Sequence, residues 1–391
     1  MNTIQMGTVA LLKSAVLQQS CPLPADFDLE AAYPALKRHH MDALLYEGAV
    51  LCGISKELPV MKRLFQSYCR SLMASEGQMG EVHRLTEAFN SNGIDYMPLK
   101  GCKMKALYPK PELRIMGDAD ILIRMEQYEK IVPIMEALGF RPGVESDHEL
   151  QWFGKSLFVE LHKRVIPSYN KDFYVYFGEG WQLAKRRSGT CYGMEQEDEM
   201  VYLFTHFAKH YRDGGIGCRH LVDLWVFRGA HPDMAEETIK AALDKIQLRE
   251  FYENICRLID VWFADAPGDE KMDFITDYLF ASGSWGTKEN HIASSGVKDQ
   301  GGKKGGRLAR ISYIFRIVFA GVDTLKYKYT ILQKAPWMLP LVWLYRPFYK
   351  LFSGKERKSL GHHKTNLRIL SPETVRSRQE ALQYVGLDYH F

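Results

Sequence analysis

The 391-residue sequence predicts an α+β fold, with a small mixed β-sheet core set between a helical N-terminal layer and a large helical C-terminal region. Three observations predict it. Apolar residues recur at three- and four-residue spacing before residue 75 and again beyond about residue 185, the period of amphipathic helices. Between those stretches, short apolar runs alternate with helical patterns and are punctuated by Asn92-Gly93, Gly139 and Gly154-Lys155-Ser156. The composition, 46% hydrophobic and 25% charged, is that of an ordinary globular chain long enough for two or three modules.

Residues 31–46 and 60–73 read as helices, with Pro22, Pro24, Pro34 and Pro59 near their starts, and make up a helical N-terminal layer over 1–78. The core, 79–185, begins with a helix over 80–91 that stops at Asn92-Gly93, followed by a short strand over 94–99. Lys100-Gly101 opens a second helix to about Tyr108, and a proline-bounded loop leads to a strand headed by Asp118. A helix over 127–138 ends at Gly139, and 148–153 with 157–163 form a hairpin. A helical domain, 186–281, follows, with amphipathic segments at 195–211, 219–228, 235–246 and 248–263. Residues 282–310 are rich in Gly, Ser and Lys and read as a mobile loop, and 311–391 as a basic, aromatic helical segment.

Charge is unevenly spread. Residues 303–368 hold 15 Lys/Arg against Asp323 and Glu356, a balance of +13; with −1 over 369–391 and a net +4, the first 302 residues carry −8. Seven scattered cysteines contain no C-x-x-C, which argues against a disulfide framework or a structural zinc site. The N-terminus has no basic n-region, and the apolar run at 335–345 spans 11 residues with two prolines, too short to cross a bilayer. These features are those of a cytoplasmic protein.

The densest chemistry lies in 97–123. Side chains at i and i+2 of a strand share a face, so Asp118 and Asp120 would aim two carboxylates at one point. A D-x-D pair alone is better explained by a turn or a solvated pair. Here Ile121, Leu122 and Ile123 continue as a buried strand, and two acids at the end of a core strand repel unless a cation sits between them. Upstream, Leu99-Lys100-Gly101 has the form of a strand-to-helix turn whose backbone N–H groups can meet phosphate oxygens, with Lys100, Lys103 and Lys105 adding positive charge. Downstream, Glu160 supplies a third acid flanked by Val159 and Leu161. Phosphate cradle, paired aspartates and a later acid together describe a site for divalent cations and a triphosphate.

These residues resemble the nucleotidyltransferase superfamily of the DNA polymerase beta type, and more closely a bacterial branch of uncharacterised nucleotidyltransferases. The resemblance rests on LKG at 99–101, YP at 108–109, Arg114, Asp118-Ala119-Asp120, VELH at 159–162, and a later helix with His206 and His210 ahead of Arg219 and Asp223. It covers roughly 80–350 and is firmest over 94–225. It implies transfer of a nucleoside monophosphate from an NTP, with ATP the first choice, to an acceptor hydroxyl. Two Mg²⁺ or Mn²⁺ ions would be held by Asp118, Asp120 and Glu160, and phosphates by Lys100, Gly101, Lys103 and Arg114. His162, His206, His210, Arg219 and Asp223 would support the site or face the acceptor. One departure stands out: the wider superfamily has Gly-Ser at the phosphate turn, where this chain has Lys-Gly and no serine hydroxyl.

Two other functions compete. A D-x-D glycosyltransferase would use Asp118 and Asp120 but leaves the LKG turn and Glu160 without a role. A non-catalytic, antitoxin-like regulatory protein could retain the fold, though all three carboxylates are present. Residues 313–352 mix aromatic and basic side chains, a pattern of packed helices, of membrane-surface segments and of nucleic-acid binders, in that order of preference here.

Overall fold

The computed structural model describes residues 1–299, 307–325, 329–352 and 365–389. Two compact units are present: Met1–His210 with Ile216–Trp285, and Tyr211–Gly215 with Gly286–Phe391.

The first unit opens with helices α1 (Thr3–Leu17), α2 (Leu29–Leu36), α3 (Asp42–Leu51) and α4 (Pro59–Ser91). Two sequence expectations change here. The single helix expected over 31–46 is broken by a 3₁₀ turn at Lys37–His39 and by His40 in the left-handed region, φ 51°. The helices expected over 60–73 and 80–91 are one 33-residue helix, which runs through Gly77 and Gly80 and across the expected 78/79 boundary. Packing outweighs the helix-breaking tendency of glycine there. Gly77 lies against Ser156, where an added Cβ would sit 3.1 Å from its side chain, and Gln78 Nε2 donates to the Met116 carbonyl at 2.8 Å.

The core is a seven-stranded mixed sheet: β1 (Tyr96–Pro98), β2 (Ala119–Ile123), β3 (Arg141–Glu145), β4 (Glu149–Phe153), β5 (Phe158–His162), β6 (Lys185–Ser188) and β7 (Cys191–Gly193). Their order is β3-β4-β5-β2-β1-β7-β6, with β2 parallel to β5 and antiparallel to β1. The expected hairpin is β4–β5. Three strands, β3, β6 and β7, were not expected. Helices α5 (Lys100–Leu107) and α6 (Tyr128–Ala137) connect the central strands, and α7 (Lys171–Phe177) follows β5.

Alternation along the strands sorts the two faces. Ala119, Ile121 and Ile123 of β2 and Val159 and Leu161 of β5 enter one buried cluster with Leu85 and Phe89 of α4 and Ile131 and Met135 of α6. The intervening residues, Asp120 and Glu160 among them, turn to the opposite face.

Beyond the sheet come α8 (Gln196–Asp213), α9 (Cys218–Ala230), α10 (Glu236–Lys245), α11 (Arg249–Phe263) and α12 (Glu270–Ser282), close to the four amphipathic segments expected. In the second unit, α13 (Lys288–Asp299) and α14 (Arg307–Val318) occupy most of the stretch expected as a mobile loop at 282–310, while 300–306 lie outside the described residues. Ala293 and Val297, four apart, are both buried and give the Gly/Ser-rich stretch the apolar stripe of a helix. Arg378 of the Pro372–Tyr384 helix donates to Ser294 Oγ at 2.9 Å and to the Tyr211 carbonyl at 2.8 Å. Of the basic aromatic segment, 326–328, 353–364 and 390–391 lie outside the described residues. No helix among the described residues is long and apolar enough to cross a membrane.

Candidate active site

Parallel pairing of β2 with β5 sets Asp120 beside Glu160 and Leu122 beside His162. One ligand atom from each of Asp120, Glu160 and His162 lies within 4.8 Å of the others. His162 Nε2 donates to Asp120 Oδ1 at 2.8 Å and stands 3.7 Å from Glu160 Oε2. Lys100 Nζ donates to the same Asp120 oxygen at 3.2 Å. Asp118 stands one residue ahead of β2, outside this tight set but half-buried in the same cleft, which measures about 440 Å³.

The electrostatics follow from crowding. Burial, and then the charge of Asp120, raise the Asp118 carboxyl to about 6, against the pull of Lys100. Asp120 is more deeply buried, yet Lys100 and His162 outweigh that burial and hold it below the usual carboxylate range. Burial also disfavours an imidazolium at His162, but its hydrogen bond to Asp120 and the nearby Glu160 carboxylate prevail and push it up to about 9. Three carboxylates therefore gather around Lys100 and one imidazolium. Oxygen-rich donors fit a hard divalent cation, and Lys100 Nζ already sits as a monovalent one against Asp120.

The phosphate turn lies against this cluster. The Leu99 N–H donates to the Asp120 carbonyl at 2.9 Å, tying the turn to β2. Lys100 takes φ 25°, and α5 starts with no side-chain cap, so its first-turn N–H groups have no intrahelical acceptor. A Cβ at Gly101 would stand 3.2 Å from both the Asp118 carbonyl and Met116 Cγ, so glycine lets the helix start approach the aspartate strand. Lys100 and Gly101 both line the cleft, an arrangement suited to phosphate oxygens.

Two residues expected at the phosphates have protein partners. Arg114 is buried in the cleft wall, and its Nε and Nη2 form a fork to Asp223 at 2.8 and 3.1 Å, while Tyr108 Oη donates to the same carboxylate at 2.7 Å. Its third nitrogen faces the Gly101 carbonyl at 3.4 Å, so Arg114 braces the turn. Lys103 pairs with Glu199 of α8 and lines a separate hollow with Arg187. The remaining expected residues do gather: His206, His210 and Arg219 line the cleft, with Nε2 atoms of His206 and His210 3.0 Å apart. His40, His220, Ser284 and Trp285 join them, none marked by a motif because they converge from separate elements.

Adjacent acids on parallel strands, facing an uncapped helix start, place the fold and site among nucleotide-transferring enzymes. The chain belongs to a family of uncharacterised nucleotidyltransferases, whose model matches residues 25–264. Among solved structures, the chain is similar to the antibiotic-resistance factor ANT(2'')-Ia in a solution study of its substrate-regulated conformation dynamics, at 11% identity over 49% of this chain and 100% of that one, with a TM-score of 0.34. That likeness is too loose to carry an argument. No curated protein matches the chain.

Proposed function

We propose that the protein moves a nucleoside monophosphate from an NTP, ATP by first choice, to a hydroxyl of an acceptor. The observation that carries this reading is the register that pairs Asp120 with Glu160 beside the uncapped start of α5. Asp118, Asp120 and Glu160 would hold two Mg²⁺ or Mn²⁺ ions. When bound, such ions neutralise phosphate charge and acidify a hydroxyl. The α5 N–H groups and Lys100 bind the phosphates and set the α-phosphorus over the carboxylates. The acceptor oxygen bonds to that phosphorus, its proton passes to Glu160, and the bond to the β-phosphate oxygen breaks to release pyrophosphate. Arg114 and Asp223 fix the turn, and His162 orients Asp120.

The glycosyltransferase reading leaves the α5 turn without work. A regulatory role would not need the three acids. Contact with an anionic membrane surface belongs to the same proposal: residues 303–368 carry +13, and Ile311, Phe315, Trp337 and Leu344 are exposed. Co-sedimentation with anionic vesicles tests it, and equal recovery with neutral vesicles would remove it.

With Mg²⁺, labelled NTP and a cell extract, the wild type should label an acceptor. Asp120→Asn and Glu160→Gln should reduce that label to background, with folding checked by circular dichroism. A folded Asp120→Asn that labels as well as wild type refutes the assignment of the site.

A further inference from the structure

We infer that the first turn of α9 and Ser284 form a phosphate-binding subsite in the wall of the same cleft, distinct from the α5 turn. Helix α9 has 13 residues and begins at Gly217 with no side-chain cap. A Cβ on Gly217 would stand 2.9 Å from the Gly283 carbonyl and 3.0 Å from Ser284 Cα, so glycine brings the 283–284 backbone onto the helix start. Ser284 is 6% exposed, lines the cleft, and its Oγ has no hydrogen-bond partner. A buried hydroxyl in that condition is destabilising unless a ligand meets it.

Two side chains of the same turn point to the sign of that ligand. Arg219 Nη1 donates to the Ile115 carbonyl at 2.8 Å, but its Nε is buried and unpartnered. No carboxylate among the described residues forms a salt bridge with this guanidinium: Asp223 is bridged to Arg114, and burial outweighs the pull that Asp223 and Asp118 exert on Arg219 through space. A desolvated cation without a bridging acid is costly and is relieved by an anion. His220 Nε2 stands 3.4 Å from Arg219 Nη2, which can only donate, so the ring proton sits on Nδ1. Burial holds this imidazole down to about 3, hence neutral, with its Nδ1–H turned to the Gly217 carbonyl at the helix start. The turn therefore offers a serine hydroxyl, a guanidinium N–H and the first uncapped N–H groups of the helix. An oxyanion with several acceptor oxygens uses all of them, and a neutral or cationic group does not.

Phosphate is the oxyanion that the proposed reaction brings to this cleft, and on that reading it comes either from the NTP tail or from a phosphate on the acceptor. Equilibrium binding of inorganic phosphate, with and without a saturating non-hydrolysable NTP and Mg²⁺, tests the site. Wild type should bind phosphate, and Arg219→Gln and Ser284→Ala should each weaken it, by about tenfold for the arginine. If the NTP displaces phosphate and Arg219→Gln weakens NTP binding equally, the site holds the triphosphate tail. If phosphate still binds beside the NTP, the site belongs to a phosphorylated acceptor. Absence of binding to wild type, or unchanged binding in a folded Arg219→Gln and in Ser284→Ala, overturns the inference. Loss of transfer in Asp120→Asn bears on the reaction alone, so the two claims fail separately.

Discussion

At the scale of single residues, the site was legible where chemistry is local in sequence. Asp118 and Asp120 are two apart, and Glu160 and His162 are two apart, so strand alternation alone assigns each pair to one face. The Lys100-Gly101 turn was legible for the same reason. Arg114 was not, because its partner Asp223 lies 109 residues away and no local pattern announces it. That pairing carries a prediction. Both side chains are buried, so Asp223→Asn leaves a guanidinium without its acid and should destabilise the protein by about 3–5 kcal/mol, as read by denaturant unfolding. A loss below about 1 kcal/mol would mean that Arg114 reaches solvent or another acid. Ser284 and His220 were illegible by the same logic, since one lies between α12 and α13 and the other on α9.

At the scale of elements, helices α8 to α11 and the β4–β5 hairpin follow from apolar period, within a residue or two at most ends. Two of the three strands that sequence missed have a common cause. Edge strands β3 and β6 are exposed at every residue, so neither carries the alternation that marks a half-buried strand. Their Arg, Lys, Pro and Glu suit an edge that must not pair with another chain. The long α4 was hidden for the opposite reason, by glycines that its packing tolerates. Gly80 has open space around the position of a Cβ and sits mid-helix. Gly80→Ala should therefore stabilise the protein by about 0.5–1 kcal/mol in denaturant unfolding, through a less flexible unfolded chain and better helix propensity. Destabilisation would contradict the continuity of α4.

At the scale of the whole chain, the acidic first 302 residues contain the carboxylate cluster and the basic stretch lies beyond them. Family membership reaches from residue 25 to 264, and so takes in the sheet, α8, α9 and most of the cleft, but not Ser284. The acceptor was not legible in the sequence, since a fold of this kind serves many acceptors. What unites the account is a single chemical claim, that the bond broken lies between the α- and β-phosphates. The direct measurement is a parallel reaction with α-labelled and γ-labelled NTP, Mg²⁺ and extract. The account predicts that the α-label moves to the acceptor, the γ-label leaves as pyrophosphate, and both events vanish in Glu160→Gln. Transfer of the γ-label to the acceptor, or release of a labelled sugar from a nucleotide-sugar donor without pyrophosphate, would contradict it.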